Sequence, residues 1–260
     1  MESSKLLKNS IRFLLPPVFW LGVWQLAAFL VELSVDGKGN ELLIPYPATV
    51  ALALLELSWE FTFWQTVVTS LLRIVAGMAA GTFLGVMLAG LTCASTTANL
   101  LLSPAVQVIR ATPVASFILL VLLWTDRGSV PAIIAGLMVL PVIWGNMVRG
   151  IRETDRKLLE MARAFRFSRG KTLRLIYIPS ARPYFLSGVT TSMGLAWKSG
   201  VAAEALCLPG TAIGTQIYNT KYYLETPDLF AWTLTVILLS LALEKTLSAW
   251  LGRQNGGKTI

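Results

Sequence analysis

Six runs of mostly apolar residues, each long enough to cross a bilayer, constrain this chain more than any other feature. A membrane-spanning helix needs about 20 such residues. Runs of that kind extend over Phe13 to Val31, Thr66 to Leu91, Leu100 to Trp124, Val130 to Val148, Pro183 to Leu206 and Leu229 to Leu251. In hydrocarbon every backbone N–H and C=O must be satisfied within the segment or by a neighbouring one, so the runs predict helices, and the fold class is an all-α membrane protein with six transmembrane helices over residues 13–251. Composition agrees: 55% of the 260 residues are hydrophobic and 14% are charged, against about 45–50% and about 25% in soluble domains. The first run follows Lys5, Lys8 and Arg12 as a secretion signal would. It exceeds a signal's apolar core and no small-residue cleavage pattern follows, so it is read as a retained helix.

Charge fixes which way the spans run. Of 22 Lys and Arg residues, 10 lie between Arg149 and Arg182, against three acids, Glu153, Asp155 and Glu160. Basic loops between spans face the cytoplasm. Threading six spans from a cytoplasmic segment 1–12 places residues 32–64 outside, with five acids against Lys38, and returns the loop at about 150–182 and the tail 252–260, with Arg253 and Lys258, to the inside. The net charge of +8 therefore reflects a lipid bilayer and no nucleic acid, because the cations cluster between apolar spans. There is no histidine, and there are two cysteines, Cys93 and Cys207, so a histidine base, a zinc cluster and a disulfide framework are unsupported. Gly252 to Thr259 matches the phosphate-binding loop pattern literally, yet it lacks the preceding strand and following helix that would aim amides at phosphate, so this chain is expected to bind no nucleotide itself.

Within the spans, Gly77, Gly81 and Gly85 recur every four residues and Ala89 continues the row. Such a flat seam lets helix backbones approach closely, within a bundle or across a dimer. Pro104, Pro113, Pro131 and Pro141 predict kinks or helix starts in the third and fourth runs. Arg73, Arg110 and Lys198 fall inside spans, where each would cost about 2.5 to 3.5 kcal/mol at a helix centre. Two readings stay open. Arg73 can snorkel outward or pair with Glu204, near the same membrane face, while Arg110 bonds carbonyls at a kink; or the three cations against one carboxylate form a positive pathway for an anionic solute.

The basic loop reads TDRKLLEMARAFRFSRGKTLRLIYIPSARP from Thr154 to Pro183. Thr154 or Asp155 can cap a helix whose apolar positions Leu158, Met161, Ala162 and Phe165 recur at three and four residues. Ser168 to Gly170 breaks the pattern, and Pro179 limits a second short helix. Two such amphipathic helices can rest on lipid headgroups or dock in a partner's groove.

Glu160, Ala162, Ile178 and Pro179, with the surrounding DRKLLEMARAFRFSR, resemble the EAA loop of binding-protein-dependent ABC importer permeases. Met161 stands in place of the middle alanine and Arg166 where the family usually has glycine. Ser70 to Arg73, Arg110 to Pro113, Gly194 to Trp197 and Ala203-Glu204 resemble the nitrate, sulfonate and taurine branch, over roughly Leu43 to Leu251. The resemblance implies the type I importer architecture in a bacterial inner membrane, with a cytoplasmic ABC ATPase dimer that holds the ATP and Mg, an extracytoplasmic solute-binding protein, and a second permease subunit forming a homodimer. It implies that Leu158, Glu160, Met161, Ala162, Phe165, Arg166, Phe167 and Arg169 couple to the ATPase. Arg73, Arg110, Trp197, Lys198 and Glu204 are the candidate substrate pathway. A proton-coupled secondary transporter would need a titratable carboxylate at mid-membrane, and only Glu204 and Glu244 are at hand, both near span ends. An intramembrane enzyme lacks its histidine or carboxylate cluster.

Overall fold

The computed structural model describes residues 2–34 and 42–255, with side chains over 15–34 and 42–249. Lys38, Lys258 and the second half of the phosphate-loop look-alike lie outside the described residues. The described chain is helical: α1 (Glu2–Ser34), α2 (Pro47–Trp59), α3 (Phe61–Ala94), α4 (Thr96–Ala111), α5 (Val114–Leu122), α6 (Val130–Arg152), α7 (Arg156–Ala164), α8 (Arg169–Thr172), a π turn (Leu173–Tyr177), α9 (Ile178–Cys207), α10 (Ile213–Tyr222) and α11 (Thr226–Asn255).

All six expected runs are helical, while the count of six crossings is matched only in part. Among the described residues four helices are long and apolar enough to cross a membrane: residues 15–34 of α1, α3, α6, and residues 226–249 of α11. The third run is broken into α4 and α5, which meet at 104°. Pro113 has no N–H and disfavours helical dihedrals in the residue before it, and Thr112 is accordingly extended, with ψ of 133°. The fifth run, α9, has the length at 30 residues, but Ser187, Thr190, Thr191, Ser192, Lys198 and Ser199 make it too polar to meet the same measure. Pro131 starts α6, while Pro104 and Pro141 lie inside helices.

The chain divides into two compact units. One comprises residues 1–65 and 216–236. Its core is Val50 and Ala53 of α2 with Ala231 of α11, overlaid by Trp24, Leu54, Leu57 and Phe230. Trp24 stacks on Phe230 with ring centroids 5.8 Å apart, and its indole N–H donates to the Pro45 carbonyl at 3.0 Å. The 13-residue α2 has no counterpart among the expected spans because it is too short to be one.

The other unit comprises residues 66–215 and 237–260 and is built on α6, whose Val130, Ile134, Ala135, Val139 and Ile143 are fully buried. Ile118 and Val121 of α5 and Ala203 and Cys207 of α9 close over part of this face. The glycine row of α3 lies against α6. A methyl at Gly77 would collide with the Ala132 carbonyl and one at Gly81 with that of Gly136, so these positions serve close packing within the chain. The expectation that Pro179 ends a second short helix is corrected. The backbone stays helical from Arg169 to Cys207, because Pro179 falls in the first turn of α9, directly after the π turn, where the wider hydrogen-bond pattern accommodates its missing donor.

Candidate functional site

The loop between α6 and α9 is held by a sequence of caps. Thr154 is buried and donates to the Gly150 carbonyl at 3.3 Å. Asp155 caps α7 by accepting from the Lys157 amide at 2.8 Å. At the other end Arg166 takes a left-handed φ of 49°. Its amide donates to Arg163 O at 3.0 Å and the Phe167 amide to Ala162 O at 2.8 Å, the two bonds of a Schellman motif. Ser168 then caps α8, accepting from the Lys171 amide at 3.3 Å. Glu153, at the corner between α6 and α7, accepts from the Tyr184 hydroxyl and, at 2.8 Å, from Arg149 Nε. These two donors, Tyr184 foremost, hold its carboxyl below the usual carboxylate range.

Leu158, Leu159, Met161 and Ala162 of α7, with Phe165 at its C-cap, fan over about 160° of its circumference at about 100° per residue, wider than one neighbour can cover. Its two edges therefore part. Leu158, Met161 and Phe165 are exposed, Phe165 at 72%. Ala162, expected on the same surface, is 3% exposed and turned inward, apart from these three. Glu160 is exposed on the polar side, about 100° from Met161. Phe167 and Arg169 line a groove of about 440 Å³ on the inner side, together with Ala162 and Tyr177. Lys171 Nζ sits 4.2 Å from the Phe167 ring centre, a cation–π contact.

The charges expected within the membrane separate into two groups. Glu204 is 0% exposed. Arg73 Nη1 meets its Oε1 at 3.0 Å, while the Ser70 hydroxyl at 2.9 Å and the Gly214 amide at 3.2 Å donate to its Oε2. Ser70 in turn accepts from the Ile213 amide at 2.9 Å. A side chain at Gly214 would run into the Ala205 backbone and the Glu204 Cβ. This cluster ties α3, α9 and the start of α10 together, with both carboxylate oxygens engaged by donors, as a buried carboxylate requires. Ile213 and Gly214 were not among the residues singled out in the sequence, and Ser70 stood there only as part of the Ser70 to Arg73 motif; no local spacing links the three to Glu204. Trp197, also expected on the pathway, is 1% exposed and belongs to the packed interior.

Arg110 and Lys198 are the other group. Both are exposed. Lys198 continues a face of α9 on which Thr191, Leu195 and Ala202 are also exposed, at spacings of four, three and four residues. Arg110 borders a cavity of about 620 Å³ between α4, α6 and α9.

A family model described as the binding-protein-dependent transport system inner membrane component matches residues 81–252. The putative aliphatic sulfonates transport permease protein of Escherichia coli is 31% identical over 81% of this chain and 78% of its own. A bicarbonate transport system permease protein of Synechococcus elongatus is 25% identical over 74% of this chain and 68% of its own. The crystal structure of an amino acid ABC transporter with histidines shares the fold, with a TM-score of 0.55 over 71% of this chain and 88% of that one at 18% identity. The sulfonate and taurine permeases among the relatives point to the branch that the sequence motifs resemble. With its apolar helices, its capped loop and a matching family model over most of its length, this chain belongs to the inner membrane components of binding-protein-dependent transport systems, the permeases of ABC importers.

Proposed function

We propose that this permease carries a small anionic solute inward, driven by ATP hydrolysis on a separate cytoplasmic ABC ATPase dimer that docks on α7. The observation that carries the reading is the exposed trio Leu158, Met161 and Phe165 on a helix capped at both ends. An apolar face on a rigid basic loop is suited to a partner's groove, and a half-rigid lever held by caps transmits a push without melting. Glu160 and Arg166 flank that surface, and Phe167 and Arg169 stiffen the turn behind it. ATP and Mg reside on the ATPase, and this chain holds no cofactor. In this reading α4–α5 and α9 complete six crossings, both termini and the α7 loop are cytoplasmic, a solute-binding protein delivers from outside, and two copies of the chain enclose the pathway. Arg110 and Lys198 face that pathway, while Arg73, Glu204 and Trp197 support its wall from within.

The test is selective loss of coupling. Phe165→Ala should weaken ATPase association by about 2 kcal/mol or more if it is a central anchor. Phe165→Ala and Glu160→Lys should leave the permease inserted while abolishing the ATP hydrolysis that the loaded binding protein stimulates. Copurification and stimulated hydrolysis at the unsubstituted level in both variants and in the double variant would remove α7 from the coupling role.

A further inference from the structure

Where α3 ends and α4 begins, a cavity of about 420 Å³ opens toward the end of α6 and the start of α7. Cys93, Ser95, Thr96 and Asn99 line it from one side and Arg152 and Arg156 from the other, with no acidic side chain among the lining residues. Neither guanidinium has a counter-charge among the described residues. Arg152 donates to a neutral acceptor, the Asn99 side-chain oxygen, at 3.5 Å, and the Arg156 side chain makes no hydrogen bond or ion pair with the described residues. The acids beside them in sequence are engaged elsewhere, Glu153 with Arg149 and Tyr184 and Asp155 with the Lys157 amide. Two cations on one cavity repel each other unless an anion that both can reach sits between them. Ser95 accepts from the Ala98 amide at 3.4 Å, which leaves its own hydroxyl hydrogen for such an anion. Position selects the kind of anion. α3 and α6 are both long and apolar enough to cross a membrane, and they end at Ala94 and Arg152, both of which line or adjoin this cavity. That is the edge of the hydrocarbon, where lipid phosphates lie. Leu91 of α3 and Leu100 and Leu101 of α4, each within a turn or so of Ser95 or Asn99, are exposed and offer apolar surface to acyl chains.

We propose that this cavity seats the phosphate of an anionic phospholipid, gripped between Arg152 and Arg156, and that the bound headgroup bridges the end of α6 to the first residue of α7. Guanidinium groups present paired donors that match phosphate oxygens, and basic recesses between membrane helices are where anionic headgroups lodge. Neither the solute nor the ATPase enters this binding. A free phosphate ion would meet the same two arginines but would leave the exposed leucines unused.

Cys93 lines the cavity and serves as a native reporter once Cys207→Ala has removed the other cysteine. The permease, assembled with its ATPase, is placed in nanodiscs of phosphatidylcholine alone or of equal parts phosphatidylcholine and phosphatidylglycerol, and alkylation of Cys93 by N-ethylmaleimide is followed by the mass of the permease chain. Phosphatidylglycerol should slow it about tenfold, the protection that about nine occupied sites in ten give. Each variant is compared with itself in phosphatidylcholine. Arg156→Gln, at a side chain with no partner among the described residues, should weaken binding about tenfold, the loss of a charge-assisted hydrogen bond, and so leave about twofold protection. Arg163→Gln combined with Arg174→Gln, which removes charge from the same basic segment outside the cavity, should leave the protection in place. Inorganic phosphate added to the phosphatidylcholine discs should not protect. Equal rates in the two lipids, protection by inorganic phosphate, full protection in Arg156→Gln, or a loss in the Arg163 and Arg174 pair as large as that in Arg156→Gln would each overturn the lipid site.

Discussion

Arg166 closes α7 in a left-handed conformation, φ 49°, where a side chain costs roughly 1 kcal/mol that glycine avoids. Arg166→Gly should therefore slow hydrogen exchange of the α7 amides by about the equivalent of 1 kcal/mol, whereas Arg166→Val should speed it. Arg73 tells the opposite story, since it is the partner of a carboxylate with no exposure. Arg73→Met leaves that charge uncompensated and should cost about 3–5 kcal/mol, lowering the melting temperature of the purified permease, and adding Glu204→Gln should recover much of the loss. The left-handed turn was legible in the sequence through the glycine that the related loops place there. The Glu204 cluster was legible only as far as the charged pair, because the hydroxyl and the two amides that complete it come from segments whose nearness to Glu204 only the fold creates.

At the scale of elements, α7 shows where periodicity reads well and where it stops. The spacing of Leu158, Met161, Ala162 and Phe165 gave the helix and its apolar arc, and Asp155 gave its start. It did not give the division of that arc, which depends on the inward neighbours that bury Ala162. The bend between α4 and α5 was visible as Pro113, but a run of apolar residues carries no record of an angle. The corner between α6 and α7 adds a pH dependence with a defined sign. Glu153 is held below its unfolded value of about 4.3 by Tyr184 and Arg149, so the tie is fully present above that pH and is lost as pH falls through the lower folded value. A spin label on Arg156→Cys should become more mobile as the medium is acidified below about pH 4.3, and in a Glu153→Gln background it should already be mobile at neutral pH.

For the molecule as a whole, hydropathy and charge located every long helix, and the count of crossings turned on the polar face of α9 and the break before α5, features that composition alone scores against a span. Orientation is open to direct measurement: Ser168→Cys should resist an impermeant thiol reagent in intact cells and react once the membrane is opened, and modification in intact cells would reverse the proposed topology. The Arg73–Glu204 pair also bears on how the protein is made. Its members are 131 residues apart, and at about 5–20 residues per second of synthesis the cation waits roughly 7–26 seconds for its carboxylate. During that interval α3 has entered the bilayer carrying an unneutralised guanidinium, and lipid alone offers it no counter-charge at that depth. The final seating of α3 is therefore expected to await α9, and a chain truncated before Glu204 should hold α3 less firmly in the bilayer than the full chain does.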